Sequence, residues 1–161
     1  MIEALSHNAL CFYWGYVFLA CVILGPRMQR DLAIPIVAII DDDESVRDSI
    51  NSLMRSAGYR TAVFASADAF LTSEYAGDED NTILLLDLHM PGLNGLELQR
   101  RLAELKFSIP IIFITAHADD RDRAKALRHG AFAFIAKPFS DTAVLGAVRS
   151  AMESPNYNDA R

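Results

Sequence analysis

Cysteine is scarce in this 161-residue chain, and neither Cys11 nor Cys21 lies beyond its first segment. The remainder therefore has no disulfide framework and no cysteine metal site. Positive charge is in deficit: Lys and Arg number 15 against 21 Asp and Glu, for a net charge of -6. A sequence pI of about 5.1 argues against a domain that grips a phosphate backbone, which normally carries a basic face. None of the 8 glycines forms a glycine-rich phosphate loop, so a bound nucleotide is not expected. Internal repeats and low-complexity stretches are also missing. Disorder is excluded by composition, with 52% apolar and 22% charged residues. The length suits one domain with a little extra, and a chain of that size buries enough surface to fold without staples.

Mean hydropathy is nonetheless high, at +0.15, because the run from Ala9 to Gly25 holds no charge. Three readings of residues 1–33 remain open. One is a short membrane anchor, with Arg27 and Arg30 behind it placing the following domain in the cytoplasm. A second is a cleaved signal, although a basic leading region is missing and Ile23-Leu24-Gly25 makes a poor cleavage site. The third is an extension lying upstream of a natural start at Met28.

From Ile34 onward, short β-branched runs alternate with helical patterns. Ile36–Ile40, Thr61–Phe64, Thr82–Leu86, Ile111–Ile114 and Phe132–Ala136 read as strands. Helical stripes follow each of them. Val46, Ile50, Leu53 and Met54 lie on the stripe of Glu44–Ala57, which Gly58 closes. Ser66 caps a short helix with Ala69 and Phe70. Leu98, Leu102 and Leu105 mark the third helix, Asp119–Arg128 forms a charged fourth, and Ser140 or Asp141 caps a fifth with Val144, Leu145, Val148 and Met152. Gly77–Asn81 reads as a polar turn. Five β-α repeats predict an α/β fold with a parallel sheet covered on both faces. The expected domain spans residues 34–152, and residues 153–161 read as a disordered tail.

The strand ends carry the chemistry. The first runs into Asp41-Asp42-Asp43, the third into Asp87, the fourth into Thr115 and the fifth into Lys137-Pro138. In an open parallel sheet, ligands bind outside the carboxyl ends of the strands, at a topological switch point. Asp41, Asp42, Asp87, Thr115 and Lys137 should therefore meet in one crevice. Several carboxylates there repel one another unless a cation neutralises them, and hard oxygen donors without a histidine or cysteine set favour Mg²⁺ or Mn²⁺. Lys137 and Thr115 add a phosphate-binding charge and a hydroxyl. This chemistry suits phosphoryl transfer onto an aspartate.

Four stretches in this order resemble the response-regulator receiver family, the CheY-like domains, and most of all its FixJ-like branch. They are Ile39–Arg47, Leu86–Gly95, Ile114–His117 and Gly130–Phe139. The resemblance implies a doubly wound, flavodoxin-like sheet of five strands in the order 2-1-3-4-5 with five helices. It makes Asp87 the phosphoacceptor. Asp42 and Asp87 become direct Mg²⁺ ligands, with the His89 backbone carbonyl beside them and Asp41 acting through water. Thr115 and Phe134 take switch roles, Lys137 pairs with phosphoryl oxygens, and the Lys137-Pro138 bond is cis. His89 and His117 stand where hydrolysis of the acyl phosphate is tuned. The resemblance further implies a single-domain regulator in a two-component phosphorelay, catalysing only its own phosphorylation and dephosphorylation. Its partners would be a sensor histidine kinase or histidine phosphotransfer protein, with a homodimer through the surface of the fourth helix, fifth strand and fifth helix. No direct nucleic-acid binding is expected, the receiver is cytoplasmic, and membrane contact arises only if residues 9–25 are a real anchor. Two other classes stay open: a phosphorylation-independent pseudo-receiver acting as a binding module, and a Mg²⁺-dependent phosphohydrolase. The latter normally has a second carboxylate where this chain has His89.

Overall fold

The computed structural model describes residues 35–78, 81–116 and 119–154. The apolar prefix, His117 and the tail from residue 155 lie outside these residues. The elements are β1 (Ile36–Ile40), α1 (Glu44–Ser56), β2 (Arg60–Phe64), α2 (Ala67–Leu71), β3 (Thr82–Leu86), α3 (Gly95–Glu104), β4 (Ile111–Thr115), α4 (Asp120–Arg128), β5 (Ala133–Ala136) and α5 (Asp141–Met152). All strands are parallel, in the order β2-β1-β3-β4-β5, as the resemblance implied.

Strands β1, β3 and β4 are buried at every position, which explains their continuous β-branched and leucine-rich sequences. Alternate residues serve different cores. Ala38, Ile40, Leu84, Leu86 and Phe113 pack with Phe70 of α2, Leu98 and Leu102 of α3 and Ala126 of α4. Val37, Ile39, Ile83, Leu85, Ile112 and Ile114 pack with Ile50 and Met54 of α1 and Val144 and Val148 of α5. Helices thus cover both faces, and the carboxyl ends of the strands remain as the open edge.

Side-chain caps fix where the helices begin. Asp43 accepts from the amides of Ser45 and Val46, Ser66 from Ala69, Asp119 from Asp122 and Ser140 from Ala143. Asp119 is thus a cap rather than the first helical residue, and Ser140 rather than Asp141 caps α5. Asn94 and Glu97 form a reciprocal capping box at the start of α3.

Three local expectations shift. The hydrophobic stripe of α3 stops at Leu102, because Leu105 is the C-cap and is 55% exposed. Strand β2 begins at Arg60 rather than Thr61. Ahead of the polar turn, where the Asn81 amide donates to the Asp78 carbonyl, Glu74–Gly77 forms a 3-10 turn, held because Ala76 is buried and the Tyr75 ring meets Phe64 edge-on at 6.1 Å. Strand β5 begins at Ala133 rather than Phe132.

Candidate functional site

Adjacent strands bring the acids together. Ile40 stands opposite Leu86 in the β1–β3 register, so Asp41 and Asp87 leave neighbouring strands at the same level. The Asp87 amide donates to the Ile40 carbonyl at 2.8 Å. Both carboxylates are buried. Thr115, the last residue of β4, is also buried and lies opposite Ala136. One residue further, the Lys137 amide donates to the Thr115 carbonyl at 2.8 Å, and the Lys137-Pro138 bond is cis.

The Lys137 ammonium closes the crevice. Its Nζ lies 2.6 Å from Asp41 Oδ2 and 3.3 Å from Asp87 Oδ1. The other oxygens are held by backbone: the Asp43 amide donates to Asp41 Oδ1 at 2.9 Å, and the His89 amide donates to Asp87 Oδ2 at 2.9 Å. Residues almost a hundred positions apart in sequence therefore share one ion-pair network.

Burial pushes the Asp87 carboxyl above its ordinary range. The Lys137 charge opposes that rise and the Asp41 charge adds to it. Burial works against the Lys137 ammonium too, but its hydrogen bond to Asp41 and the charges of Asp87 and Asp41 prevail, and its pKa rises. The unequal distances account for this pattern. Asp41 holds most of the ammonium, which leaves Asp87 partly compensated.

The remaining candidates lie at the rim. Asp42 and His89 are exposed. Asp43, which the sequence leaves outside the site, is spent as the α1 cap. The Phe134 ring is half-buried and lies 5.7 Å from the Phe113 ring. Two residues without an assigned role in the sequence also shape the site. Arg47 donates from its guanidinium to the Asp41 carbonyl at 2.7 Å. Gly95 admits α3 to the loop after β3, since a Cβ there would stand 2.5 Å from the Asp87 carbonyl oxygen. Glycine at this position is legible in the sequence, but the close approach that requires it appears only once α3 is packed.

The donors suit a hard divalent cation. Two buried carboxylates, Asp41 and Asp87, share a single neighbouring ammonium, and the exposed Asp42 adjoins Asp41 in the chain, so the acidic excess lies in oxygen ligands. Among the described residues, however, no group of three or more His, Cys, Asp or Glu is gathered closely enough to chelate an ion.

A family profile described as the response regulator receiver domain matches residues 37–149. The chain belongs to that family. It is 44% identical over 130 residues to the response regulator protein TmoT of Ectopseudomonas mendocina, covering 81% of this chain and 58% of that protein. It is 42% identical over 117 residues to the transcriptional regulatory protein FixJ of Rhizobium meliloti, covering 73% and 56%. The crystal structure of FixJ-N superposes with a TM-score of 0.69 at 40% identity, over 76% of this chain and 96% of that one. The receiver thus spans somewhat over half the length of these curated relatives. The expectation of no direct nucleic-acid binding finds no support in them, because FixJ is named a transcriptional regulatory protein. No helix among the described residues is long and apolar enough to cross a membrane.

Proposed function

We propose that this receiver accepts a phosphoryl group on Asp87 from a histidine kinase or histidine phosphotransfer protein. The observation that carries this reading is the Lys137 ammonium bridging the buried carboxylates of Asp41 and Asp87. An Asp87 oxygen attacks phosphorus as the bond from phosphorus to the donor imidazole nitrogen breaks, and the imidazole departs. Partial desolvation favours the attack by leaving the carboxylate poorly stabilised. Lys137 neutralises a phosphoryl oxygen once Asp87 has become an acyl phosphate, a mixed anhydride, and no longer competes for the ammonium. Thr115 turns its hydroxyl to another oxygen, and Phe134 follows as the switch aromatic. Asp42, Asp87, the His89 carbonyl and, through water, Asp41 are the ligands offered to Mg²⁺, whose charge would offset that of the transferring group. His89 and His117 set access of the hydrolytic water.

The receiver catalyses only its own phosphorylation and dephosphorylation, and its output is a shift in a surface equilibrium. The surface of α4, β5 and α5 serves partners or a second copy, and Leu127 of α4 is exposed on the described surface. By likeness to FixJ, that output reaches transcription. The proposed compartment is the cytoplasm.

Acetyl phosphate tests this reading. With Mg²⁺, intact mass should increase by one phosphoryl group, borohydride trapping should place the group on Asp87, and EDTA should suppress the gain. A protein whose mass stays unchanged with Mg²⁺ present, or whose label maps to another residue, contradicts it.

A further inference from the structure

Helix α4 has little apolar anchorage. Of its 9 residues only Ala126 is buried, so other contacts must hold its carboxyl end. One comes from α3. Gln99 is 2% exposed, and its Nε2 donates to the carbonyls of Ala126 at 3.0 Å and His129 at 3.2 Å. These are the last turn and the C-cap of α4. Two carbonyl acceptors fix the amide orientation, because the flipped form would set oxygen against oxygen. The cost is at Oε1, which is buried without a hydrogen-bond partner among the described residues.

A leucine would fill this space without a buried side-chain oxygen, but it would withdraw the donor from the Ala126 and His129 carbonyls. The glutamine instead ties α4 to a helix that is itself seated on the Asp87 loop. One turn before Gln99, the Gly95 amide donates to the Leu88 carbonyl at 3.0 Å, and Gly95 leaves no room for a Cβ beside the Asp87 carbonyl. Helix α3 is thus held to the phosphoacceptor loop at its first turn and to α4 one turn later. Because its oxygen is unsatisfied, the amide is held less firmly than a fully paired one.

We propose that Gln99 is a positioning residue that latches the carboxyl end of α4 to α3, and so sets how readily the α4 face moves when Asp87 is occupied. The second half of this proposal rests on the phosphoacceptor reading.

Amide hydrogen exchange on the full chain tests it, with Gln99→Leu and Gln99→Glu beside the wild type. Removing the latch should lower protection at His129, Gly130 and Ala131 by about tenfold, leave β1 and β3 unchanged, and leave acceptance from acetyl phosphate intact. The glutamate variant should behave likewise at neutral pH and regain protection in acid, where its carboxyl becomes a donor. Beryllofluoride with Mg²⁺ should loosen the same amides in the wild type and add nothing in Gln99→Leu. Unchanged protection in the variants, or equal acceleration of every amide, overturns the latch. Perturbed strand ends without loosening of residues 129–131 in the wild type overturn its link to Asp87. If beryllofluoride perturbs nothing in the wild type, the phosphoacceptor reading has failed, and the variants compared without it still decide the latch.

Discussion

Asp87→Asn should abolish phosphoryl acceptance and at the same time make the protein more stable at neutral pH. The first effect follows because an amide is no nucleophile towards phosphorus. The second follows from burial. Asp87 is buried, and its carboxyl lies above the ordinary range because desolvation and the Asp41 charge outweigh Lys137. A carboxyl whose pKa is raised on folding binds its proton more tightly in the native state, so ionisation disfavours the fold. That penalty is fully present above the raised native value and vanishes below the unfolded one. The neutral amide removes it while leaving Asp41 to hold Lys137. The gain should be roughly 1 kcal/mol, the usual size when a functionally strained group is relieved, and it should fade as pH falls through the carboxylate range. Urea unfolding at a series of pH values reads it. A variant less stable than wild type at neutral pH, or one that still takes a phosphoryl group, contradicts the account. Mg²⁺ should stabilise the wild type and do less for the variant.

Lys137→Met should act in the opposite direction on stability. It leaves two buried carboxylates facing each other without the ammonium that stands 2.6 and 3.3 Å from them. Stripping one partner from a buried ion pair costs about 3–5 kcal/mol. The Lys137 side chain is 18% exposed, so water softens the loss to roughly 2–4 kcal/mol. The native pKa of Lys137 is raised, so its contribution is complete below the unfolded lysine value and is lost as pH climbs through the native one. Wild type and variant should therefore converge in strong alkali. They should also approach each other in acid, as Asp87 takes up a proton. Phosphoryl acceptance should fall together with stability, because the same ammonium meets the incoming phosphoryl oxygens. Equal unfolding midpoints at pH 7 would show that the network contributes nothing.

What could be read from sequence follows the physics of burial. Strands β1, β3 and β4 are covered on both faces, so their apolar runs are unbroken and unmistakable. Strand β2 sits at the edge with Arg60 and Val63 exposed, and its signal is correspondingly faint at its first residue. The 3-10 turn at Glu74–Gly77 was not legible, since a single turn has no periodicity and depends on Tyr75 reaching Phe64. Asn94 and Glu97, three residues apart, carry the sequence signature of the capping box that starts α3.

In the site, the structure joins Asp41, Asp87 and Lys137 in one ion-pair network and leaves Asp42 exposed; the strand-end rule gathers these four with Thr115, because a parallel sheet delivers all its carboxyl ends to one edge. It says nothing about which acid the lysine prefers, and the structure gives Asp41 the shorter contact. Gln99 was invisible for a different reason. A polar residue beside Leu98 reads as the outer face of α3, and it becomes buried only where α4 crosses it. Arg47 likewise reads as a surface charge on α1 until its guanidinium is seen against the Asp41 carbonyl.

The most direct measurement is a crystal structure of the protein with beryllofluoride and Mg²⁺. The account predicts beryllium on an Asp87 oxygen, with Lys137 Nζ and Thr115 Oγ1 each within hydrogen-bond distance of a fluorine and the metal on the Asp42 side of the crevice. Beryllofluoride bound to a different carboxylate, or an Asp87 that stays unmodified with Lys137 still clamped between the two acids, would contradict it.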